Sequence, residues 1–231
     1  MWRFYDLQVV PLPRHRPSQV RELLSRYFRN QEEKFSAIAE DVRERQLLGQ
    51  PVLIGCRTIK ESERLSEVLS EKTIPHTLLN ANTIREEADI ISQAGVSGAI
   101  TVATNMAGRG THISLSKDAL AEGGLHVVAT GLEESRRIDR QLTGRAARQG
   151  EPGSYQFFLS GEDDLLTTQF PEEAETLRST SRCRPTGEVK ASAWKAFFEK
   201  AQRQVEKSRY EQRVTSFYYN ERLNESKENL S

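Results

Sequence analysis

Cysteine is scarce in this sequence: Cys56 and Cys183 are the only two in 231 residues. They lie far apart, with no Cys-x-x-Cys or Cys/His spacing around them, which argues against a structural zinc and against a disulfide framework. A reducing cytosol is the compartment that fits. An excess of either charge is lacking too. The 33 Lys and Arg balance 33 Asp and Glu, so bulk composition offers no pull on nucleic acid or an anionic membrane, and any electrostatic function has to be local. No apolar run reaches the roughly 18 residues of a membrane span, and Met1–Pro17 has none of signal-peptide length. Also missing is Gly-x-x-x-x-Gly-Lys-Ser/Thr, the loop that cradles the β- and γ-phosphates of a nucleotide. No acidic pair ends an apolar strand where it could hold magnesium; Asp163-Asp164 comes too far along to be the obvious choice.

What is present is a repeating alternation. Pro51–Cys56 is a short apolar run, the pattern of a strand buried on both faces. A helix is predicted over 59–71, with Leu65, Val68 and Leu69 inward. Strands follow over 76–79, 98–103, 125–130 and 154–159, separated by helices over 83–94 and 133–143. Ahead of them, 31–48 is helical, with Phe35, Ile38, Ala39, Val42 and Leu47 at helical spacing and Gly49 as the stop. Strands alternating with helices imply a parallel sheet covered on both faces, with ligands at the carboxyl ends of its strands. Residues 1–30 read as an extended linker or hinge, 31–171 as the α/β domain, and 172–188 as a polar linker. Residues 189–231 read as a long helix with a polar tail, its apolar stripe running through Trp194, Phe198, Ala201 and Val205 to Val214, Phe217 and Tyr218.

Two glycine–arginine stretches stand out. The first, Asn105–Thr111, directly follows a predicted strand. Gly108 and Gly110 give the backbone freedom to bring N–H groups close to an anion and hold Arg109 between them. Alternatively it is a tight turn with a surface arginine. The second, QLTGRAARQG, carries Arg145 and Arg148 three apart on one helical face, flanking Ala146 and Ala147. A solvated helix face with i,i+4 pairs is the plainer reading of such a charge run. Small neighbours, however, let something large approach, and a guanidinium fork suits phosphate. One explanation covers both stretches: they lie at one sheet edge and face the phosphates of a nucleotide whose cradle belongs to another domain. His126 reads as a packed core residue, and Trp194 as a packing anchor.

Residues 103–113, ATNMAGRGTHI, and Gly123–Asp164, GGLHVVATGLEESRRIDRQLTGRAARQGEPGSYQFFLSGEDD, resemble the second motor domain of the SecA family, the ATPases of the bacterial preprotein translocase. EEKFSAIAEDVRERQLLGQPVLIG is similar to the segment entering that domain's motif IV strand, VVPLPRHRP to the hinge between the two motor domains, and AQRQVEKSRYEQR to the start of the helical scaffold. The resemblance implies a RecA-like α/β fold, a parallel sheet flanked by helices and followed by a long C-terminal helix. It implies ATP with magnesium shared with a first SecA-type motor domain; that no zinc and no nucleic acid are expected follows instead from the cysteine spacing and the balanced charge. Preprotein and the Sec translocon would be partners, and the location cytoplasmic, peripheral at the inner membrane.

By the same resemblance Arg145 and Arg148 are the γ-phosphate arginines, Arg148 the finger. Gly108, Arg109, Gly110, Thr111, His112, Gln141 and Glu151 face the nucleotide or the partner domain. The pattern is not met everywhere: His112 and Glu151 replace aspartates, Ala147 a glycine and Thr143 an arginine. His112 removes an acceptor carboxylate near the nucleotide's sugar. Without a phosphate cradle the chain alone is expected not to hydrolyse ATP. A SecA-like docking or regulatory module without hydrolysis is the alternative. An RNA-helicase-type domain is disfavoured by the balanced charge.

Overall fold

The computed structural model describes residues 7–79, 87–104, 111–180, 184 and 187–228. Its centre is a seven-stranded parallel sheet in the order β1-β7-β6-β3-β5-β4, with β2 also pairing β7. The strands are β1 (Gln19–Glu22), β2 (Arg26–Phe28), β3 (Val52–Cys56), β4 (Thr77–Leu79), β5 (Ile100–Thr104), β6 (Leu125–Ala129) and β7 (Pro152–Ser160). Every residue of β3 and β6 is buried, as continuous apolar runs in a doubly covered sheet should be.

Side chains alternate between two cores. Val52, Ile54 and Cys56 point to one face, where α1 (Gln31–Leu47) and α2 (Ile59–Glu71) bring Phe35, Ile38, Val42, Leu65 and Leu69. Both helices are capped, Asn30 Oδ1 accepting from Glu33 N and Thr58 Oγ1 from Glu61 N. Leu53 and Val127 point to the opposite face, covered by α3 (Glu87–Gln93) and α5 (Arg136–Thr143). The short α4 (Lys117–Ala121) leads into β6. A third core lies beyond β2, where α6 (Asp164–Gln169), α7 (Pro171–Thr180) and α8 (Ala191–Glu228) gather around Trp194 and Phe198.

Several details differ from the sequence reading. Within 1–30, Gln19–Glu22 and Arg26–Phe28 form strands along β7. Within 172–188, the polar stretch is helical up to Thr180, started by Pro171 at its first position and held by buried Ala174. Leu47 is 81% exposed, because its spacing from Val42 turns it off the helix face that carries Phe35, Ile38, Ala39 and Val42. The predicted helix over 83–94 is seen as Glu87–Gln93, its first residues lying outside the described ones.

His126 is a packed core residue. Fully buried on β6, it meets Ser154 Oγ at 2.8 Å through Nδ1. Desolvation first, and the Arg45 guanidinium second, lower its pKa from 6.5 to about 3. The folded chain therefore keeps it neutral while the unfolded chain protonates it near 6.5. Its contribution to stability is complete above about pH 6.5 and is lost toward about pH 3, by at most ~1.4 kcal/mol per pH unit for one proton. In urea melts between about pH 7 and pH 4, wild type should lose stability more steeply than His126→Gln. Parallel slopes would show that His126 takes up its proton without cost to the fold.

Candidate functional site

The arginine-bearing segment begins at the carboxyl end of β6 and crosses one face of the sheet as α5. Two glycines let it lie unusually close. A Cβ at Gly55 on β3 would sit 2.4 Å from Leu142 Cδ2, and one at Gly153 on β7 would sit 2.5 Å from Ala147 N. At Gly144 the helix stops, where a Cβ would lie 2.6 Å from Arg140 O. The chain then doubles back through a 3-10 turn, Arg148–Gly150, with left-handed backbone at Ala147 (φ 52), Gln149 (φ 56) and Gly150 (φ 82). The glycine of the family pattern at position 147 thus has a physical reason. An alanine there adopts a conformation costing about 1–2 kcal/mol per residue.

The last residue of the first stretch, Thr111, meets the second. Arg148 donates from Nη1 to Thr111 O at 3.4 Å and from Nε to Gly144 O at 3.1 Å. Arg145, half-buried, lies beside Ala103 and Thr104, the carboxyl end of β5, where the first stretch begins. Arg145 is thus near the carboxyl edge, whereas the Arg148 turn departs from the single shared edge expected from the sequence. Ala147 packs against Gly153, also close to Leu125 O, at the amino ends of β7 and β6, because α5 runs back across the face. Thr111, His112 and Gln141 are exposed, and Glu151 N donates to Arg148 O at 2.9 Å. Gly108, Arg109 and Gly110 lie outside the described residues.

Next to this turn opens a cleft of about 1000 Å³. Arg14, Arg16, Arg140 and Arg148 line it, with Ser18 and Tyr155, and none of its lining residues is acidic. In a chain of zero net charge this is a local cationic field of the kind that attracts anions. Arg14 and Arg16 were read only as part of a hinge. They reach the cleft because Gln19 Nε2 donates to Gly150 O at 2.6 Å, tying the hinge to a turn 131 residues away.

The carboxyl edge is built differently. Lys34 Nζ, fully buried, donates to Thr130 O at 2.6 Å and Asp163 Oδ1 at 2.7 Å, and lies 3.5 Å from Glu61 Oε1. Burial alone would lower the Lys34 pKa, but the Asp163 and Glu61 charges outweigh it and hold the ammonium above its ordinary value. Asp163 also accepts from Ser160 N and Ser160 Oγ. It is a structural anion committed to Lys34. Removing one partner of such a buried pair costs about 3–5 kcal/mol. Among the described residues no group of three or more His, Cys, Asp or Glu is arranged to hold a metal.

Over residues 19–122 and 116–183 the sequence matches the SecA P-loop domain. The chain belongs to the SecA family. Protein translocase subunit SecA 2 of Geobacillus thermodenitrificans is 41% identical over 225 residues, 97% of this chain and 29% of that protein. SecA 2 of Rhodopirellula baltica is 44% identical over 218 residues, 94% of this chain and 33% of its own length. The chain thus spans about a third or less of these SecA relatives. Among solved structures, the yeast DEAD-box splicing factor Prp28 is similar with a TM-score of 0.51 at 16% identity, over 79% of this chain and 37% of that one. That likeness concerns the fold alone, the RecA-like arrangement of a parallel sheet between helices.

If the SecA arginine turn is seated by Gly153, adding a methyl there should be costly. Gly153→Ala drives its Cβ into backbone and is expected to destabilise by about 1–3 kcal/mol. Gly131→Ala meets side chains and no backbone, the flexible Arg57 Cδ nearest at 3.0 Å and Asp163 Oδ2 at an ordinary 3.8 Å, and should cost less. Denaturant melts that rank the two in the opposite order would contradict this packing.

Proposed function

We propose that the chain is the second nucleotide-binding domain of a SecA-type protein translocase motor, presenting Arg145 and Arg148 to the γ-phosphate of ATP held on a P-loop of another domain. The observation that carries this reading is the state of Arg148. Its guanidinium rests on two neutral backbone carbonyls at the rim of a cleft lined by further arginines. A phosphate oxygen is a stronger, charge-assisted acceptor than a carbonyl and can replace either one. The planar fork then neutralises charge on the transferring phosphoryl group, an effect worth about 10³–10⁵ in rate when an arginine is supplied from outside the P-loop domain.

The cleft suits an anion and not a cation, since no carboxylate lines it. The magnesium that accompanies ATP therefore belongs with ligands on the other half, where it would supply charge neutralisation at the phosphates. Arg145, three residues before Arg148, lies beside Ala103 and Thr104 at the end of β5, and Gly108, Arg109 and Gly110 are assigned to the same site by their place in the sequence. Thr111, His112, Gln141 and Glu151 complete the surface offered to nucleotide or to the first motor domain. In the whole translocase, hydrolysis would move preprotein through the Sec translocon, with the motor cytoplasmic and peripheral at the inner membrane. No helix among the described residues is long and apolar enough to cross a membrane.

Two observations favour a second reading, a docking or regulatory module without hydrolysis. His112 supplies no carboxylate where the family pattern has one, and Ala147 strains a turn built for glycine. ATP hydrolysis by this chain mixed with a SecA-type first motor domain separates the two. The motor reading expects hydrolysis by the mixture and a fall of about 10³ or more on Arg148→Ala. A mixture no faster than the first motor domain alone, indifferent to Arg145→Ala and Arg148→Ala, would leave the docking module.

A further inference from the structure

The short helix that delivers the arginines is not capped by its own sequence. Ser135, at its N-cap, makes no side-chain hydrogen bond to the first turn. The missing acceptor comes from α8 instead: Glu206 Oε1 accepts from Arg136 N at 2.7 Å, across 70 residues of sequence. One turn earlier on α8, Gln202 Nε2 donates to Asp139 Oδ2 at 2.6 Å and to Glu133 O at 3.0 Å. Asp139, on the buried side of α5, uses its other oxygen to accept from Glu133 N at 2.9 Å. Two α8 side chains thus satisfy the amino end of α5 and fix the loop leading into it. A third contact, the paired hydrogen bonds of Arg209 to Glu134, is half-exposed, and ion pairs of that kind contribute little.

These residues occupy a particular place on α8. Trp194, Phe198, Ala201 and Val205 are buried against the domain, whereas Tyr218 and Tyr219, farther along, are 49% and 64% exposed. Gln202 and Glu206 therefore flank Val205, the last buried residue of that stripe, beyond which the helix continues to Glu228. At about 1.5 Å per residue the part beyond Val205 is a helical arm more than 30 Å long. A small tilt of that arm acts first on the turn that holds α5.

We propose that Gln202 and Glu206 are positioning residues for Arg145 and Arg148, so that α8 couples its own attitude to the placement of the phosphate arginines. The proposal rests on the nucleotide reading of those arginines. The coupling is reciprocal by linkage: whatever engages the arginines also biases the arm.

The full chain tests it with Glu206→Ala, Glu206→Gln and Gln202→Leu. The glutamine keeps an acceptor oxygen for Arg136 N, and the alanine does not. Hydrogen exchange of the chain alone should show the amides of Arg136 to Asp139 opening roughly fivefold faster in Glu206→Ala, the size of a lost N-cap. Amides in β3 and β6 should be unaffected, and Glu206→Gln should be near wild type. In the mixture with a first motor domain, Glu206→Ala and Gln202→Leu should lower kcat by about tenfold or more while KM for ATP changes little, because the arginines act on the transition state. Unchanged exchange at Arg136–Asp139 would overturn the proposal, and so would a loss of hydrolysis that follows faster exchange throughout the sheet or that Glu206→Gln fails to rescue. If the wild-type mixture hydrolyses no ATP, the nucleotide reading fails and the proposal with it, and faster exchange then reports only a clamp between α8 and α5.

Discussion

The site depends on how near α5 can come to the sheet. A helix of eight residues has little stability of its own, since nucleation costs more than so few hydrogen bonds return. It is helical here because Leu142 presses into the space above Gly55 and Ala147 lies on Gly153. Those two absent side chains fix the height of the segment and thereby the positions of Arg145 and Arg148. The strain at Ala147 and Gln149 belongs to the same constraint. The chain must reverse directly over the start of β7, and left-handed backbone makes so tight a reversal possible. Strained backbone of this kind persists only where surrounding contacts over-determine it. The sheet beneath and the hinge at Gln19 provide them.

The two ends of the sheet divide the work. At the carboxyl edge, Lys34 joins α1 to the ends of β6 and β7 through Thr130 and Asp163, with Glu61 of α2 alongside. Its buried charges are mutually compensated, so this cluster serves cohesion, while Arg145 lies at the same edge beyond it, at the end of β5. Over the amino ends of β1 and β7, Arg14, Arg16, Arg140 and Arg148 surround one cleft with no carboxylate in its lining. A chain with no net charge can thus hold a local field strong enough to receive phosphate, and the acids that balance it lie elsewhere.

Much of this was legible in the sequence. The β3 run announced a strand buried on both faces, β6 was legible as a strand, and α1 and α2 carried helical periodicity, with Gly49 as the stop of α1. The small residues around Arg145 and Arg148 marked a place of close approach. Other parts were hidden for physical reasons. The β1 residues, QVRE, are all exposed and carry no alternation, since this edge strand forms only because β7 offers it a partner. The helix after Pro171 looked like a linker because its burial rests mainly on Ala174 against α8. Arg14 and Arg16 reach the cleft across more than a hundred residues of sequence, and no local pattern reports such a contact. The cap of α5 by Glu206 is invisible for the same reason.

The most direct test of the central claim, that this chain holds half of a nucleotide site, is titration calorimetry of ATP with magnesium. The ligand would be added to the chain alone and to the chain mixed with a SecA-type first motor domain. The account predicts no saturable binding in the micromolar range by the chain alone. It predicts binding by the mixture that is tighter than the first motor domain achieves by itself, with the difference lost in the Arg145→Ala, Arg148→Ala double variant. Micromolar binding by the chain alone, unchanged in that variant, would contradict it.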